Sequence, residues 1–170
     1  MSSITMHSAS VPAFARILTN MHNWLEAARA HAEARKFDPA VYLTLRLAPD
    51  MLPLPRQVQI ASDAAKGCVA RLAGQDAPSW PDDETTLEQL AARIAKTRDF
   101  VLSVPAEALV GSETRDIVIP RRAGEPYRFK GEDYLRHFAL PNFYFHATTL
   151  YALLRHAGVP LGKADFLGAF

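Results

Sequence analysis

Apolar residues recur at spacings of three and four along most of the chain, a pattern that predicts amphipathic α-helices. The first predicted helix runs from about residue 7 to residue 35, and its apolar positions are Val11, Phe14, Leu18, Met21, Leu25 and Ala28. The second begins near Pro53 or Pro55, because proline is tolerated in the first turn of a helix, and it ends at Gly74. Many of its residues are small, so we expect this helix to pack closely at the centre of the fold.

Two further helices are predicted in the second half of the chain. A capping-box pattern from Thr85 to Glu88 marks the start of the third helix, which ends before Pro105. The fourth covers about residues 131–158 and stops at a glycine followed by Val-Pro. Pro141 lies inside it and cannot donate a backbone hydrogen bond, so a kink, bulge or break is expected just upstream.

The segments between these helices are predicted to be short. Residues 36–50 form a short helix or a turn-rich connector with Asp38 as its N-cap. The β-rich run Asp116–Ile119, a turn at residues 122–125 and a partner strand at residues 127–129 predict a small hairpin. The expected fold is therefore all-α, an antiparallel four-helix bundle with a small β-hairpin before the last helix.

Length and composition narrow the class of protein. A chain of 170 residues, 49% of them hydrophobic, suits one domain spanning residues 1–170 with a sizeable core. Nineteen basic and 18 acidic residues give a net charge of +1 without long blocks of one sign, which argues against a nucleic-acid partner. No apolar run reaches the roughly 18 residues of a membrane span.

Cysteine usage and the first residues predict a cytoplasmic protein. Cys68 is the only cysteine, so the chain can form no internal disulfide and no zinc site built from several thiolates. Its place on an apolar helix face favours inert packing over a nucleophilic role. The first residues also lack the basic and apolar segments of a secretory signal.

Polar residues set among apolar ones on the last helix are the best candidates for a site. Asn142 and His146 are four residues apart, so their side chains point in directions only about 40° apart. With Gln59 of the second helix they could form a polar cluster, with Asp63 as an acid–base partner and His22 at the edge of the core or the bundle mouth. One imidazole and two amides would make a poor zinc site.

Each candidate also has an interpretation without a function. His146 can be a hydrogen-bonded core histidine, Asn142 can cap carbonyls released near the proline, and Gln59 can be a helix-surface residue. His137 lies nine residues before His146 and so about 180° away on an unbroken helix, although a π-bulge at Pro141 would rotate it toward the site. The sequence contains no glycine-rich phosphate loop, Gly-x-Ser-x-Gly elbow or His-Glu-x-x-His motif.

The end of the chain, FHATTLYALLRHAGVPLGKADFLG, resembles the C-terminal helix of the DinB superfamily. Its members show a histidine before a small polar run, then leucines, an Arg-x-x-Gly-Val-Pro-like stop and an Asp-Phe-Leu tail. The segments LAPDM, RQVQIA and FALPNFYFH are similar to those of an uncharacterised bacterial family of DinB-like proteins. The resemblance covers almost the whole chain and implies the DinB-like four-helix bundle.

The resemblance also implies where a metal would bind. In the superfamily, one histidine of the second helix and two histidines four apart on the last helix hold a divalent metal, often zinc or nickel. Carried over to this chain, these positions fall at or near Gln59, at Asn142 and at His146. Only His146 keeps a metal-binding side chain, so at most weak binding of a divalent metal is expected.

Two functional hypotheses follow. The favoured one is a DinB-like protein that binds a small ligand in the polar cleft around Gln59, Asn142 and His146, with the metal triad largely lost. The alternative, implied by the resemblance, is a metal-dependent thiol transferase or isomerase with His146 as metal ligand or general base. A homodimer is expected from the apolar excess and from the habit of the superfamily.

Overall fold

Four long helical stretches form the body of the molecule in a computed structural model that describes residues 4–121 and 123–169. They are α1 (Met6–Arg35), α2 (Leu54–Leu72), α3 (Leu87–Ser103) and a last stretch made of α4 (Gly131–Tyr134), a π turn (Leu135–Ala139) and α5 (Leu140–His156). α1 packs mainly against α3, whereas α2 packs against α5 and α3. The helical bundle predicted from the hydrophobic pattern is confirmed.

The helix ends follow from local hydrogen bonding. Thr5 and Ser8 form a reciprocal capping box at the start of α1. At the start of α3 the N-cap is Thr86, whose side chain accepts from the backbone N–H of Gln89, so the cap predicted at Thr85 is one residue too early. The side chain of Gln89 in turn accepts from the backbone N–H of Thr85. The sequence offers two adjacent threonines as caps, and the spacing alone does not say which of them is used.

Short elements connect and close the bundle. A 3₁₀ helix at Pro39–Thr44 is capped by Asp38, as predicted. Strands β1 (Asp116–Ile119) and β2 (Tyr127–Lys130) pair antiparallel ahead of the last helical stretch, which confirms the hairpin. Within the predicted turn at 122–125, residue 122 lies outside the described residues.

The last helical stretch contains the irregularity expected from Pro141. The backbone N–H of Leu140 donates to the carbonyl of Leu135, five residues earlier, which widens the turn just upstream of the proline. The wider turn accommodates a ring that would clash with the carbonyl four residues before it. His137 nevertheless stays outside the bundle, with its side chain 66% exposed and its Nε2 4.0 Å from Asp133, so the π turn does not bring it toward His146.

The core brings α5 against both α1 and α2. Phe14 and Phe143 meet edge to face with ring centroids 4.9 Å apart, which fixes α5 on α1. The short C-terminal helix α6 (Lys163–Leu167) docks on α1, where the indole N–H of Trp24 donates to the carbonyl of Asp165 at 3.0 Å. Among the helices described, none is long and apolar enough to cross a membrane.

Candidate functional site

His146 faces α2, where it meets a glutamine that the sequence argument did not single out. Its Nδ1 lies 2.7 Å from Oε1 of Gln57, a side chain that is only 1% exposed. The amide nitrogen of Gln57 donates to the backbone carbonyl of Leu52 at 2.7 Å. That second bond orients the amide, so Oε1 accepts a hydrogen bond from a protonated Nδ1.

The orientation of Gln57 leaves the other ring nitrogen of His146 as a hydrogen-bond acceptor. Nε2 makes no hydrogen bond to any part of the chain that the structure describes. Burial lowers the pKa of His146, and the positive charge of Arg56 lowers it further. The ring is therefore neutral at pH 7, with a lone pair available for a proton or a donor group of a ligand.

Gln57 carried a signal that hydrophobic spacing could have revealed. It lies three residues after Leu54 and four before Ala61, both of which are fully buried on the face of α2 that enters the core. A glutamine at a core position needs buried hydrogen-bond partners for its amide. The sequence pattern predicts Gln59 as the site residue instead, because it stands between the apolar residues Val58 and Ile60.

Gln59 is buried but belongs to a different set of contacts. Its side-chain oxygen accepts from Arg56 at 2.7 Å, and its side-chain nitrogen donates to Glu84 at 2.8 Å. Gln59 is only 3% exposed, so the alternative prediction that it is a helix-surface residue is wrong. No hydrogen bond joins Gln59 to His146 or Asn142 in residues 4–121 and 123–169.

Arg93 of α3 is the centre of the charged set that includes Gln59. Its guanidinium donates to Glu84 and to the carbonyl of Pro81, both at 2.8 Å, and pairs with Asp82 at 2.9 Å and Asp63 at 3.1 Å. Burial acts to raise the pKa of Glu84, but the hydrogen bonds from Arg93 and Gln59 outweigh it and lower that pKa. These contacts hold the loop before α3, at residues 81–84, against α2.

The remaining predicted site residues lie apart from the His146–Gln57 pair or make no bond to it. Asp63 is exposed and pairs with Lys66 at 2.5 Å as well as with Arg93, so its contacts point into the charged set. Asn142 and His22 are half-buried, and neither makes a hydrogen bond within the described chain. Asn142 therefore does not cap carbonyls near Pro141 either.

The donor set around His146 does not fit the divalent metal implied by the superfamily. The one imidazole nitrogen that is open is Nε2, and the nearest amide oxygen, Oε1 of Gln57, is already bonded to Nδ1. The described residues contain no group of three or more His, Cys, Asp or Glu side chains arranged to hold a metal. Cys68 is fully buried, and burial raises the pKa of its thiol, so it offers no thiolate.

A cavity lies elsewhere in the bundle, away from His146. It has a volume of about 880 Å³ and lies between the start of α1, the segment before β1 and the π turn. Its polar lining includes Glu132 and Arg136, which pair with each other while remaining 53% and 62% exposed. Solvated pairs of this kind fix no polar atom in place, so we regard the His146–Gln57 pair as the better candidate site.

Comparison with known proteins places the chain among helical bundles of this type. The model of a family described as a domain of unknown function (DUF1993) matches residues 6–167. The structure is similar to the crystal structure of a DinB family member protein from Shewanella denitrificans, with a TM-score of 0.90 and 41% sequence identity. The similarity covers 97% of this chain and 93% of that one. No curated protein matches the chain.

Proposed function

This chain belongs to the DUF1993 family of DinB-like proteins, and we propose that it binds a small organic molecule at His146 without a catalytic metal. The observation that carries the proposal is the fixed Nδ1–H of His146, which leaves Nε2 as an open acceptor in a neutral ring. A site of this kind binds a ligand through an O–H, N–H or S–H group. The three positions that the resemblance implies for metal ligands, Gln59, Asn142 and His146, make no hydrogen bond to one another within the described chain.

The surroundings of His146 favour a ligand with an apolar body. Phe145 meets the His146 ring edge to face with centroids 5.1 Å apart, and its side chain is 56% exposed, so an exposed aromatic surface lies beside the imidazole. Apolar contact supplies much of the affinity of small-molecule sites, and a few fixed polar atoms orient the ligand. Nε2 can also accept the proton of a bound acid or thiol, which makes His146 the candidate general base.

Nuclear magnetic resonance of the histidine rings tests the proposal. Protein labelled with ¹⁵N at histidine would be titrated with a panel of small thiols and organic acids at pH 7.5. We expect at least one compound to shift Nε2 of His146 saturably while the rings of His22 and His137, in the same sample, stay unchanged. A panel in which every compound leaves His146 unchanged, or shifts all histidines alike, contradicts the proposal.

The metal-dependent thiol transfer implied by the superfamily lacks its ligand set in this chain. Elemental analysis of protein prepared without chelator or affinity tag separates the two functions. We expect less than about one tenth of an equivalent of zinc or nickel per protein chain, because a single imidazole ligand binds these metals weakly. A stoichiometric metal that disappears in His146→Ala would overturn the metal-free site.

We also propose that the protein is a single-domain, cytoplasmic homodimer. Exposed apolar side chains near the site, Leu47 (49%), Leu52 (47%) and Phe145 (56%), supply surface for association, and the lone buried cysteine suits a reducing compartment. Size-exclusion chromatography with light scattering at micromolar concentration measures the mass. A monomeric mass for the wild type contradicts the dimer. If the wild type is a dimer, Phe145→Ser should weaken it.

A further inference from the structure

A second polar pocket lies far from His146, between the end of α2 and strand β1. Its volume is about 300 Å³, and two arginines, Arg71 and Arg115, line it from different segments of the chain. Arg71 is fourteen residues beyond Gln57 on α2, which corresponds to about 21 Å along the helix axis. Binding in this pocket is therefore independent of the function proposed for His146.

Arg71 lines the pocket, and its guanidinium contacts a glycine and a buried tyrosine that lie outside the lining. Its Nη1 lies 2.5 Å from the place where a Cβ of Gly67 would be, so the guanidinium occupies the space that the glycine leaves open. The same nitrogen donates to the hydroxyl of Tyr134 at 3.1 Å. Burial raises the pKa of Tyr134 to about 12, so the hydroxyl stays neutral and leaves the charge of Arg71 uncompensated.

Arg115 lies against the end of α2 in a similar way. Its Nη1 is 1.8 Å from the Cβ position of Gly74, a residue with φ +70° that ends the helix. A side chain at Gly74 would be strained by that dihedral angle and would also displace the guanidinium. Each guanidinium therefore occupies space that a glycine of α2 or of its C-terminal end leaves without a side chain.

The charge around the pocket remains positive. In the part of the chain that the structure describes, neither Arg71 nor Arg115 forms an ion pair. Asp116, which also lines the pocket, is bound by Lys130 at 2.7 Å. Asp76 is the remaining carboxylate of the lining, so the two arginines outnumber it.

We propose that this pocket binds a small ligand through an oxyanion group, a phosphate or a carboxylate, held between Arg71 and Arg115. The planar guanidinium donates two parallel N–H bonds to such groups, and two arginines from different segments can grip one oxyanion from two sides. The volume suits a group with a small substituent. Asp76 opposes the anion and limits the affinity.

Amide chemical shifts of ¹⁵N-labelled protein test the site with two probes, inorganic phosphate and acetate. Each would be titrated at pH 7.5 and constant ionic strength, with sodium chloride as the reference salt. We expect saturable shifts at the amides of Gly74 and Gln75, and the probe that saturates at the lower concentration identifies the oxyanion. Shifts that rise linearly for both probes, as they do for chloride, overturn the proposal.

Charge variants decide whether the arginines are responsible. Arg115→Gln and Arg71→Gln should each weaken binding about tenfold or more, since each removes charge-assisted hydrogen bonds. Asp76→Asn should strengthen it. Arg98→Gln, at a half-buried arginine of α3 that pairs with Asp99, is the matched control and should change nothing. Equal affinity in the wild type and Arg115→Gln refutes the assignment.

Discussion

Gln57 and Gln59 lie two residues apart on α2 and enter two polar regions of different kinds. Gln57 meets one neutral imidazole and one backbone carbonyl, which leaves Nε2 of His146 open. Gln59 joins arginines and carboxylates that pair with one another around Arg93, whose Nη1 and Nη2 are bound while its buried Nε is not. Residues two apart on a helix point about 200° apart, so Gln57 and Gln59 lie on nearly opposite faces of α2. One face contacts a site with an open acceptor, and the other contacts a structural ionic network. A ligand is therefore expected at the region with fewer polar groups.

The largest effect we expect comes from removing the centre of the ionic network. Arg93→Met leaves Glu84, whose side chain is 10% exposed, without its main positive partner, and it frees Asp63 and Asp82 from one of theirs. Removing one member of a buried ion pair costs about 3–5 kcal/mol, and we expect the lower end because both aspartates are partly solvated. Urea denaturation measures the loss in the free energy of unfolding.

Arg98→Met on the same helix is the control for that loss. Its pair with the exposed Asp99 is largely solvated and should contribute less than about 0.5 kcal/mol. The ring signals of His146 should be unchanged in Arg93→Met under native conditions if the two regions are separate. Arg56 adjoins both regions, because it pairs with Asp82 and its charge lowers the pKa of His146, so a large shift of Nε2 in that variant would show that the network acts on the site through Arg56.

The sequence predicts the helices of this fold better than the partners of its polar side chains. Spacing of apolar residues locates α1, α2 and α3 within a few positions, since burial of one face is what stabilises each helix. The same spacing places Gln57 on the core face of α2, but Gln59 is buried as well, so burial alone does not tell which glutamine His146 contacts. Pro141 predicts a kink, bulge or break just upstream, and the structure has a π turn there. The exposed His137 shows that this wider turn does not direct every residue within it toward the core.

The second prediction compares the two glutamines directly. Gln57→Leu removes the partner of a nearly buried Nδ1–H and should cost about 1–3 kcal/mol. Gln59→Leu leaves Glu84 bound by Arg93 and Arg56 bound by Asp82, so about 1 kcal/mol is expected. Both values come from denaturant unfolding of the purified variants.

The histidine spectrum distinguishes these variants more sharply than stability does. Gln57→Leu should alter the tautomer balance of His146, because nothing then holds the proton on Nδ1, whereas Gln59→Leu should leave the ring signals as they are. The opposite pattern, with Gln59→Leu perturbing the ring, would contradict the separation of the two regions.

The pH dependence of stability provides a third test. The pKa of His146 is lowered in the folded protein, so at acidic pH the unfolded chain binds the proton more readily than the folded chain does. The stabilising contribution is complete above the ordinary histidine pKa of about 6.5 and declines as the pH falls below it. Wild type should therefore lose more stability than His146→Asn between pH 7.5 and 5.5. An equal loss would contradict a buried, neutral imidazole.

A carboxylate in place of the Gln57 amide should reverse that behaviour. In Gln57→Glu the new negative charge favours the imidazolium, so the pKa of His146 should rise above its wild-type value. Titration of the ring by NMR measures the direction. Glu substituted at Gln59, where Glu84 is already the neighbour, should raise the pKa of His146 less.

Asn142 should have the smallest effect on stability and decides how far the site extends along α5. It is half-buried, lies one turn before His146 and makes no hydrogen bond in the described chain, so Asn142→Ala should change the free energy of unfolding by less than about 0.5 kcal/mol. If its amide faces a ligand, the same variant should weaken binding of any compound that shifts Nε2 of His146. Thr148→Ala, an exposed change two residues beyond His146 on α5, is the control and should leave that binding unchanged. Unchanged affinity in Asn142→Ala would confine the site to His146, Gln57 and their apolar neighbours.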